Sequence, residues 1–517
     1  MSIATVASRS LSGLTTSPVR VEVDLSPGLP NLIIVGLPST AVREARERVR
    51  AAIQNAGFSF PSARRVTVNL APADLPKDSG RFDLAIALGI LGASGLIPAQ
   101  ALEGRAFAGE LSLSGDLLPI RAGFVFGLSA LEDVGLRQLV LPAANAPELA
   151  RLDAGDRIVV AAHLAEVVAA LQGAAPWQAV PKVAHHSTQG TGMQLDEAAL
   201  AWADIQGQEE AKRAALVAAA GGHRLLLMGP PGVGKSMVAQ RIPTLLPPLS
   251  AEAARTVAAL QSLQQGTPIE ALTDWGRPPY RAPHHSISMA ALIGGGQPIR
   301  PGELSLAHGG VLFLDELPEF SRAALEALRE PLETGEVRVA RVHDRQVLPA
   351  APLLVAAMNP CPCGFYGANH LTRHCVCSPD QVARYRGRLS GPLLDRFDLA
   401  VQLTWPRASV ARAVQPTLGD VTRAQARALN RQGCLNAALA VGDLQQHVPM
   451  APDAQRLLTQ TAEHLGWSLR VQHRLTRVAR TVADLADLPD GTPLDVSEVA
   501  AAISLRRALD PPAALRA

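Results

Sequence analysis

The segment of this sequence that most directly indicates chemistry is a glycine-rich loop ending in a lysine and a serine. It consists of Gly229, Pro230, Pro231, Gly232, Val233, Gly234, Lys235 and Ser236. It fits G-x-x-x-x-G-K-[ST], in which backbone N–H groups surround phosphates, the lysine reaches the terminal phosphate oxygens and the hydroxyl binds Mg²⁺. An accidental glycine-rich turn is the alternative, but Lys235 is one of only four lysines in the chain. We therefore predict a nucleotide-phosphate site with Mg²⁺.

Two apolar runs would place polar groups beside this loop. VLFL at 311–314 is followed by Asp315 and Glu316, and LLVAAM at 353–358 is followed by Asn359. In phosphoryl transfer, such groups hold Mg²⁺ and polarise or orient the attacking water. Read alone, each could be an ordinary strand end or turn residue. Together with the loop, they predict that Asp315 holds Mg²⁺, Glu316 activates water and Asn359 orients it.

The elements that must position these residues follow an alternating pattern. Strands are expected at 21–23, 32–35, 65–70, 224–228, 311–314 and 353–357, and helices at 40–56, 82–91, 209–220 and 455–486. Helices that alternate with short apolar strands indicate a parallel sheet in the middle of the chain and a separate α/β domain before it. Beyond about residue 404 the pattern is helical only, which predicts an all-helical lid.

Composition restricts the class of protein. The chain has 517 residues, 48% hydrophobic and 18% charged, which suits about three globular domains. The net charge is only +2 and nearly all basic residues are arginine, so a nucleic-acid surface would be local and built from arginine. No apolar run approaches the roughly 18 to 20 residues that span a bilayer, and the N-terminus lacks a charged leader before an apolar stretch. We expect a cytoplasmic protein.

Four of the five cysteines lie close together, directly after Asn359. They are Cys361, Cys363, Cys375 and Cys377. Four thiolates satisfy a tetrahedral Zn²⁺, although the C-x-C spacing is tighter than is usual. His370 and His374 are possible substitutes as ligands, and free or redox-active thiols on a loop are the alternative. We predict a Zn²⁺ site.

These motifs resemble those of an AAA+ ATPase, and the segments between them resemble its magnesium-chelatase-like subgroup. The matching segments are RAPHH at 281–285, ALIGGG at 291–296, PGELSLAH at 301–308 and LDELPEF at 314–320. Within the subgroup the chain is most similar to the ComM (YifB) family, over essentially its whole length. The resemblance implies ATP and Mg²⁺ as cofactors. It also implies an α/β fold class: an N-terminal Lon-protease-like (ribosomal-protein-like) domain, an AAA+ parallel-sheet ATPase core and a C-terminal all-helical lid.

The resemblance assigns roles to three residues outside the loop. LLDRFD resembles the segment that supplies an arginine finger to the neighbouring subunit, which points to Arg396, and a planar guanidinium suits transition-state charge. In SLR, Arg470 would be the lid arginine that reports on the nucleotide, and IQGQ would place Gln208 beside the adenine. The same helix face carries three more arginines, which we expect on a solvated or interdomain surface: Arg474, Arg477 and Arg480.

The resemblance also implies two insertions that point into the pore of a ring. They would cover about 282–306 and a hairpin at about 337–347, which also carries His343. The DNA contacts that we predict on the hairpin are Arg338, Arg341 and Arg345. A solvated hairpin is the alternative to contact with a nucleic-acid backbone.

The N-terminal segments DLPKDSG at 74–80 and GELSLSGDLLP at 109–119 resemble the Lon-protease-type fold. Where that family has its nucleophilic serine, this chain reads Arg81, Phe82 and Asp83, and it has no lysine from 78 to 181. A serine without a nearby base is a poor nucleophile. Lys77 and Ser79 lie close together, but their offset does not match. We expect no protease activity.

The expected organisation is a Lon-like domain at 1–172, a linker at 173–194, the ATPase core at 195–404 with the insertions and cysteines, and the lid at 405–517. Since the finger must come from a second subunit, we expect a hexameric ring. The resemblance implies a DNA helicase that promotes branch migration in homologous recombination and natural transformation. Its partners would be branched or single-stranded DNA and recombination proteins, with no membrane. A chelatase-type motor ATPase and a protein remodeller are the alternatives.

Overall fold

The computed structural model describes residues 2–36, 40–72, 80–181, 201–264, 275–296, 299–341, 344–367, 373–405 and 415–509. Two large β-sheets organise these residues, one in the N-terminal part of the chain and one around the glycine-rich loop. Within the described ranges, no helix is both long and apolar enough to cross a membrane.

The N-terminal part combines a mixed sheet with short helices. Its strands are β1 (Ser2–Ser12), β2 (Thr15–Ser26), β3 (Asn31–Val35), β4 (Arg65–Ala71), β5 (Arg105–Phe107), β6 (Glu110–Leu111), β7 (Leu117–Leu118), β8 (Gln138–Pro142), β9 (Ile158–Ala161) and β10 (Gln178–Ala179). Its helices are α1 (Thr40–Asn55), α2 (Asp83–Ala93), α3 (Ala99–Leu102), α4 (Gly123–Glu132), α5 (Ala146–Leu149) and α6 (Leu164–Leu171).

Eight of these strands form one sheet in the order β10-β9-β8-β5-β1-β2-β4-β3. Side chains alternate between its faces: Val140 packs with α2, and Leu139 and Leu141 pack with α4. Helix α2 is apolar on every side and is therefore buried. The end strand β10 pairs with β9 and lies within the range predicted as linker, whose residues 182–194 are outside the described part of the chain.

The middle of the chain forms a second α/β unit. Its strands are β11 (Leu225–Met228), β12 (Tyr280–Arg281), β13 (Gly294–Gly295), β14 (Arg300–Pro301), β15 (Val311–Leu314), β16 (Glu336–Arg341), β17 (Asp344–Pro349), β18 (Leu353–Met358) and β19 (Leu399–Gln402). Its helices are α7 (Glu209–Gly221), α8 (Lys235–Arg241), α9 (Ala251–Ser262), α10 (Met289–Ile293), α11 (Glu303–Leu306), α12 (Arg322–Ala327), α13 (Pro331–Thr334), α14 (Pro379–Arg386) and α15 (Gly391–Leu394).

Five of the strands form a parallel sheet in the order β12-β15-β18-β11-β19. Its four-residue inner strands are buried on both faces, as the continuous apolar runs predict. Because all pairs are parallel, the carboxyl ends of β11, β15 and β18 meet at one edge. Short two-stranded ladders, β13–β14 and β16–β17, stand outside this sheet at the two predicted insertions.

The last part of the described chain is helical. Its helices are α16 (Leu418–Gln432), α17 (Leu444–His447), α18 (Pro452–Leu465), α19 (Leu469–Leu485) and α20 (Val496–Ser504). The long helix expected at 455–486 is two helices, because Gly466 ends α18 with a φ of +69°. Apolar side chains of α16, α18, α19 and α20 join those of the parallel sheet in one hydrophobic core. The predicted fold class, with a parallel-sheet core and a helical C-terminal region, is confirmed.

Candidate functional site

The glycine-rich loop joins the carboxyl end of β11 to the start of α8. Gly232 and Gly234 have φ values of +78° and +97°, a region that L side chains rarely adopt. The two glycines therefore allow the tight path by which such a loop can present its N–H groups to an anion.

Lys235 lies at the centre of the site. Its Nζ donates hydrogen bonds to the carbonyl oxygens of Gly229 (2.7 Å) and Pro230 (2.8 Å) and to Oδ1 of Asn359 (3.0 Å). Burial lowers the pKa of Lys235 to about 8, and the carboxylates after β15 oppose this shift. The parallel sheet thus brings the predicted lysine and the predicted asparagine into direct contact.

Oxygen atoms suited to Mg²⁺ come together next to the lysine. Ser236 Oγ donates to Oδ2 of Asp315 at 2.8 Å, and Oδ1 of Asp315 accepts from the backbone N–H of Glu316 at 2.9 Å. A hydroxyl and a carboxylate side by side are ligands that Mg²⁺ prefers beside nucleotide phosphates. The donor set therefore fits ATP with Mg²⁺.

Glu316 has an unusual backbone and an unpredicted partner. Its φ is +51°, in the left-handed region, and its side chain is 53% exposed. Its Oε2 lies 3.2 Å from Nδ1 of His285, a residue of the RAPHH segment. The histidine pair of that segment is the one sequence signal for this contact, and its pattern alone indicates no role. Nearby Tyr280 is partly buried, and burial together with the Asp315 charge raises its pKa.

Gln208 connects two sides of the site. Its Nε2 donates to the carbonyl oxygens of Val233 (3.2 Å) and Thr404 (2.6 Å). Trp405 follows directly, and a Cβ at Gly232 would lie 3.4 Å from its ring. The residue predicted beside the adenine is therefore bonded to the phosphate loop, together with a tryptophan that sequence reasoning missed.

The predicted arginine finger and the predicted lid arginine lie away from the phosphate loop. Arg396 is 7% exposed and donates to the carbonyls of Arg329 (3.1 Å) and Pro392 (2.6 Å) and to Oε1 of Glu333 (2.7 Å). Burial lowers the pKa of Arg396, and the positive charge of Arg470 is among the causes that add to it. Arg470 itself is exposed. Arg396 lies just before β19, and Arg470 lies in the first turn of α19, close enough for its charge to act on Arg396.

The other arginines of that helix differ from one another. Arg474 donates a hydrogen bond to Asp398 at 2.8 Å and so joins α19 to the parallel sheet. This position agrees with the expected interdomain surface. Arg477 is partly buried. Arg480 is fully buried and pairs with Asp484 at 2.8 Å inside the helical region, so the expectation of a solvated or interdomain position was wrong for it.

The four clustered cysteines converge on one point. Their Sγ atoms lie within 4.8 Å of one another, with separations of 3.4, 3.7 and 3.6 Å among Cys361, Cys363 and Cys375. Zn–S bonds of about 2.3 Å in a tetrahedron put sulfurs about 3.8 Å apart, so the cluster fits Zn²⁺. Of the substitute ligands, His374 is exposed and His370 lies outside the described residues.

The cysteine loop also touches the phosphate loop. A Cβ added at Gly364 would lie 2.5 Å from Cδ of Pro231, so the two backbones approach closely at this point.

One thiol of the cluster is shifted toward its thiolate form. Burial raises the pKa of Cys363, but backbone hydrogen bonds at Phe365 and Val376 outweigh burial and lower this pKa to about 6, which favours a thiolate.

The predicted pore elements form hairpin structures. β16 and β17 pair in register from Glu336 opposite Pro349 to Arg341 opposite Asp344. Arg338 is 63% exposed beside Glu336 at 3.5 Å, and Arg345 lies on β17. His343 lies outside the described residues, and so do Lys77 and Ser79 in the N-terminal part.

Comparison with known families covers most of the chain. Residues 201–411 match the family described as "Magnesium chelatase, subunit ChlI", residues 21–145 match "Subunit ChlI of Mg-chelatase", and residues 416–506 match "Magnesium chelatase, subunit ChlI C-terminal". Residues 21–145 lie in the N-terminal part, residues 201–411 contain the parallel sheet, and residues 416–506 lie in the helical region.

Curated relatives give the same assignment over nearly the full length. The chain is 43% identical over 492 residues to the uncharacterized protein YifB of Salmonella typhimurium, covering 94% of each. It is 42% identical over 495 residues to competence protein ComM of Haemophilus influenzae, again covering 94% of each. A Lon protease of Roseiflexus castenholzii is 28% identical over 158 residues, 29% of this chain and 19% of that protein, which confirms the Lon-like N-terminal part. The chain therefore belongs to the ComM/YifB family of magnesium-chelatase-like AAA+ ATPases.

Proposed function

We propose that the chain is the subunit of an ATP-driven hexameric DNA motor that promotes branch migration during homologous recombination and natural transformation. The observation that carries this proposal is the 42% identity, over 94% of both chains, to a relative named as a competence protein. The motor would work in the cytoplasm on branched or single-stranded DNA, with recombination proteins as partners.

Each residue at the carboxyl edge of the parallel sheet would have its own role in ATP hydrolysis. Bound ATP with Mg²⁺ supplies the transferable phosphoryl group. Lys235 and the loop N–H groups hold the phosphates, while Ser236 and Asp315 hold the metal. Glu316 takes a proton from the attacking water, which Asn359 orients.

The positions of two arginines support assembly into a ring. The phosphate loop follows the carboxyl end of β11, whereas Arg396 precedes the amino end of β19, its parallel neighbour. Four residues of strand, roughly 13 Å, separate these two edges. The position of Arg396, with Arg470 nearby, supports a role at the nucleotide of an adjacent subunit, where a guanidinium stabilises transition-state charge.

DNA would be held by the β16–β17 hairpin. A motor that moves along any sequence must grip the repeating phosphates, since base edges differ from step to step. Exposed Arg338, with Arg341 and Arg345 on the strands beside the turn, supports this role. Binding should be salt-dependent and tolerant of sequence.

We further propose that Cys361, Cys363, Cys375 and Cys377 bind Zn²⁺. Four sulfur ligands make a closed structural site with no position open for chemistry. Its contact with Pro231 supports a role in holding the phosphate loop.

The experiment is an ATPase and strand-exchange assay with four-way, forked and linear DNA. We expect junctions to stimulate hydrolysis most, and a labelled mobile four-way junction to become duplex or forked products only with hydrolysable ATP. The double variant Arg338→Ala, Arg341→Ala should uncouple hydrolysis from junction movement. Arg456→Ala, which removes an exposed arginine on α18, is the matched control.

If junctions neither stimulate ATPase nor move at a salt concentration where the protein binds them, the DNA-motor proposal is wrong. A chelatase-type motor ATPase would then take its place, since all three family matches carry that description. A protein remodeller is the remaining alternative.

A further inference from the structure

We propose that Arg474 is a positioning residue that anchors the backbone of Arg396 to helix α19. The proposal rests on the role of Arg396 as an arginine finger in the proposed function, and it identifies what holds that finger in place. Because α19 also carries Arg470 in its first turn, the anchor would fix the two arginines relative to each other. Both would then be presented to the adjacent subunit as one unit.

The first observation is a pair of hydrogen bonds made by one nitrogen atom. Nη1 of Arg474 donates to the backbone carbonyl of Arg396 at 2.9 Å and to Oδ1 of Asp398 at 2.8 Å. A terminal guanidinium nitrogen carries two N–H donors, one for each bond. Both acceptors lie in the short segment between α15 and β19. Arg474 therefore holds this segment at two points.

The second observation is that the ion pair is buried and fully bonded on its acidic side. The side chain of Arg474 is 16% exposed and that of Asp398 is 9% exposed. Oδ2 of Asp398 also accepts a hydrogen bond from the backbone N–H of Arg224 at 2.9 Å. Separating the pair would leave a buried charge without a partner, which is strongly unfavourable. Arg474 is thus attached to a fixed point.

The third observation is that the side chain and the backbone of Arg396 have different kinds of partner. Its guanidinium pairs with Glu333, whose side chain is 47% exposed, and a half-exposed pair can be exchanged for another anion such as a phosphate. Its backbone N–H donates to the carbonyl of Leu393 at 3.0 Å, and its carbonyl accepts from Arg474. The side chain can therefore change partner while the backbone stays in place.

Arg396 is anchored from a second direction as well. Nη1 of Arg224 donates to the same carbonyl of Arg396 at 3.4 Å, and Arg224 directly precedes β11, whose carboxyl end leads into the phosphate loop. The finger is therefore held between α19 and the strand that carries the loop. Without Arg474 it would be held by the strand alone, so its reach toward a neighbouring nucleotide would vary.

The test measures the ATPase kcat and the KM for ATP of the full-length protein without DNA. Arg474→Ala should lower kcat by about tenfold to a hundredfold, because a displacement of about 1 Å at a reacting centre can cost about a hundredfold. The KM for ATP should change little, since the finger acts after ATP is bound. Arg474→Lys should recover part of the lost rate, because one ammonium can donate to both acceptors.

Two measurements separate positioning from a loss of structure. The double variant Arg396→Ala, Arg474→Ala should be no slower than Arg396→Ala alone, since Arg474 acts through the finger. Mixing Arg474→Ala with Glu316→Gln subunits should restore part of the ATPase activity, because the second kind of subunit supplies well-placed fingers to the intact sites of the first. A merely structural role would produce neither result.

Two further variants control for the buried carboxylate that Arg474→Ala leaves without its partner. The double variant Arg474→Met, Asp398→Asn removes the anchor without an unpaired charge, so it should fold and show the same loss of kcat. Arg431→Ala breaks a comparable buried pair, with Asp484 at 2.9 Å, inside the helical region and should leave kcat unchanged. Thermal melting checks that each variant is folded.

The anchor is wrong if folded Arg474 variants hydrolyse ATP at the wild-type rate while Arg396→Ala does not. A loss of rate that mixing with Glu316→Gln subunits does not restore would also overturn it. Failure of the proposed function has other signatures. Arg396→Ala would itself hydrolyse ATP normally if the finger assignment were wrong, and junctions would not stimulate the wild type if the DNA-motor proposal were wrong.

Discussion

In the parallel sheet, Lys235, Asp315 and Asn359 lie where three strands end, and each contacts another polar group at the same edge. In the N-terminal part of the chain, a carboxyl group is instead buried. Asp83 begins α2, is only 1% exposed and accepts a hydrogen bond from Arg48 at 2.9 Å. Burial raises the pKa of Asp83 to about 7.

The difference shows that charged groups support packing in one part of the chain and line a candidate site in another. Near Asp83 in the chain, Arg81 is 7% exposed, and its guanidinium lies 5.4 Å from the ring centre of Phe126. Helix α4 then docks on α9 of the ATPase unit, where Arg121 donates to the carbonyl of Leu263 at 2.7 Å. Charged groups beside the first sheet therefore support packing, whereas those at the carboxyl edge of the second line the candidate site.

The largest effect should come from Lys235→Ala. The variant loses the ammonium that would hold the terminal phosphates, so we expect ATP affinity to fall by about a hundredfold or more. Titration with a fluorescent ATP analogue measures this, with Glu316→Gln as the comparison that should still bind ATP without hydrolysing it. If Lys235→Ala bound ATP with normal affinity, the charged groups of the parallel sheet would not differ in function from those of the N-terminal part.

Arg396→Ala should lower kcat by about a thousandfold with little change in ATP affinity, as expected for an arginine finger. Because Arg396 would act on a neighbour, mixing this variant with Glu316→Gln subunits should restore part of the ATPase activity. Steady-state rates over a series of mixing ratios measure this. A strictly additive loss would mean that Arg396, with its bonds to Glu333 and Arg329, serves its own subunit only.

Loss of the predicted metal should have an intermediate effect. Freshly purified, reduced protein should contain about one Zn²⁺ per chain, with Zn–S distances near 2.3 Å by X-ray absorption. Cys363→Ser should lower both the zinc content and the ATP affinity, because the cysteine loop packs on Pro231. Cys434→Ser, outside the cluster, is the control. If the purified protein contained no stoichiometric metal, the cluster would consist of free thiols and the zinc proposal would be wrong.

Asp83→Asn should affect stability alone. Since its pKa is about 7 in the folded protein and near 3.8 in the unfolded chain, the folded state holds a proton between these values that the unfolded state releases. The free energy of unfolding of the wild type should therefore fall, relative to the variant, by up to about 1.4 kcal/mol per unit as pH rises from about 4 to about 7. Denaturation at several pH values measures this slope, and a large loss of ATPase activity would contradict a purely structural role.

Much of the site could be predicted because it depends on strand order. The short apolar runs that end before Asp315 and Asn359 alternate with helices, which indicates a parallel sheet whose carboxyl ends meet beside the loop. The contact between His285 and Glu316 could not be predicted, since it depends on the backbone path of an insertion without periodicity. Nor could the burial of Arg480, because helical spacing does not reveal that Asp484, one turn later, pairs with it inside the core.

The hydrophobic core that joins the parallel sheet to the C-terminal helices has a mechanical consequence. Side chains from α7, β11, α16 and α19 interlock in it, and Arg474 fastens the helices to Asp398 at the edge of the sheet. Close-packed interiors resist deformation. We therefore expect the ATPase sheet and its helical partner to move as one rigid unit. In the proposed ring, any bending would then occur between neighbouring subunits.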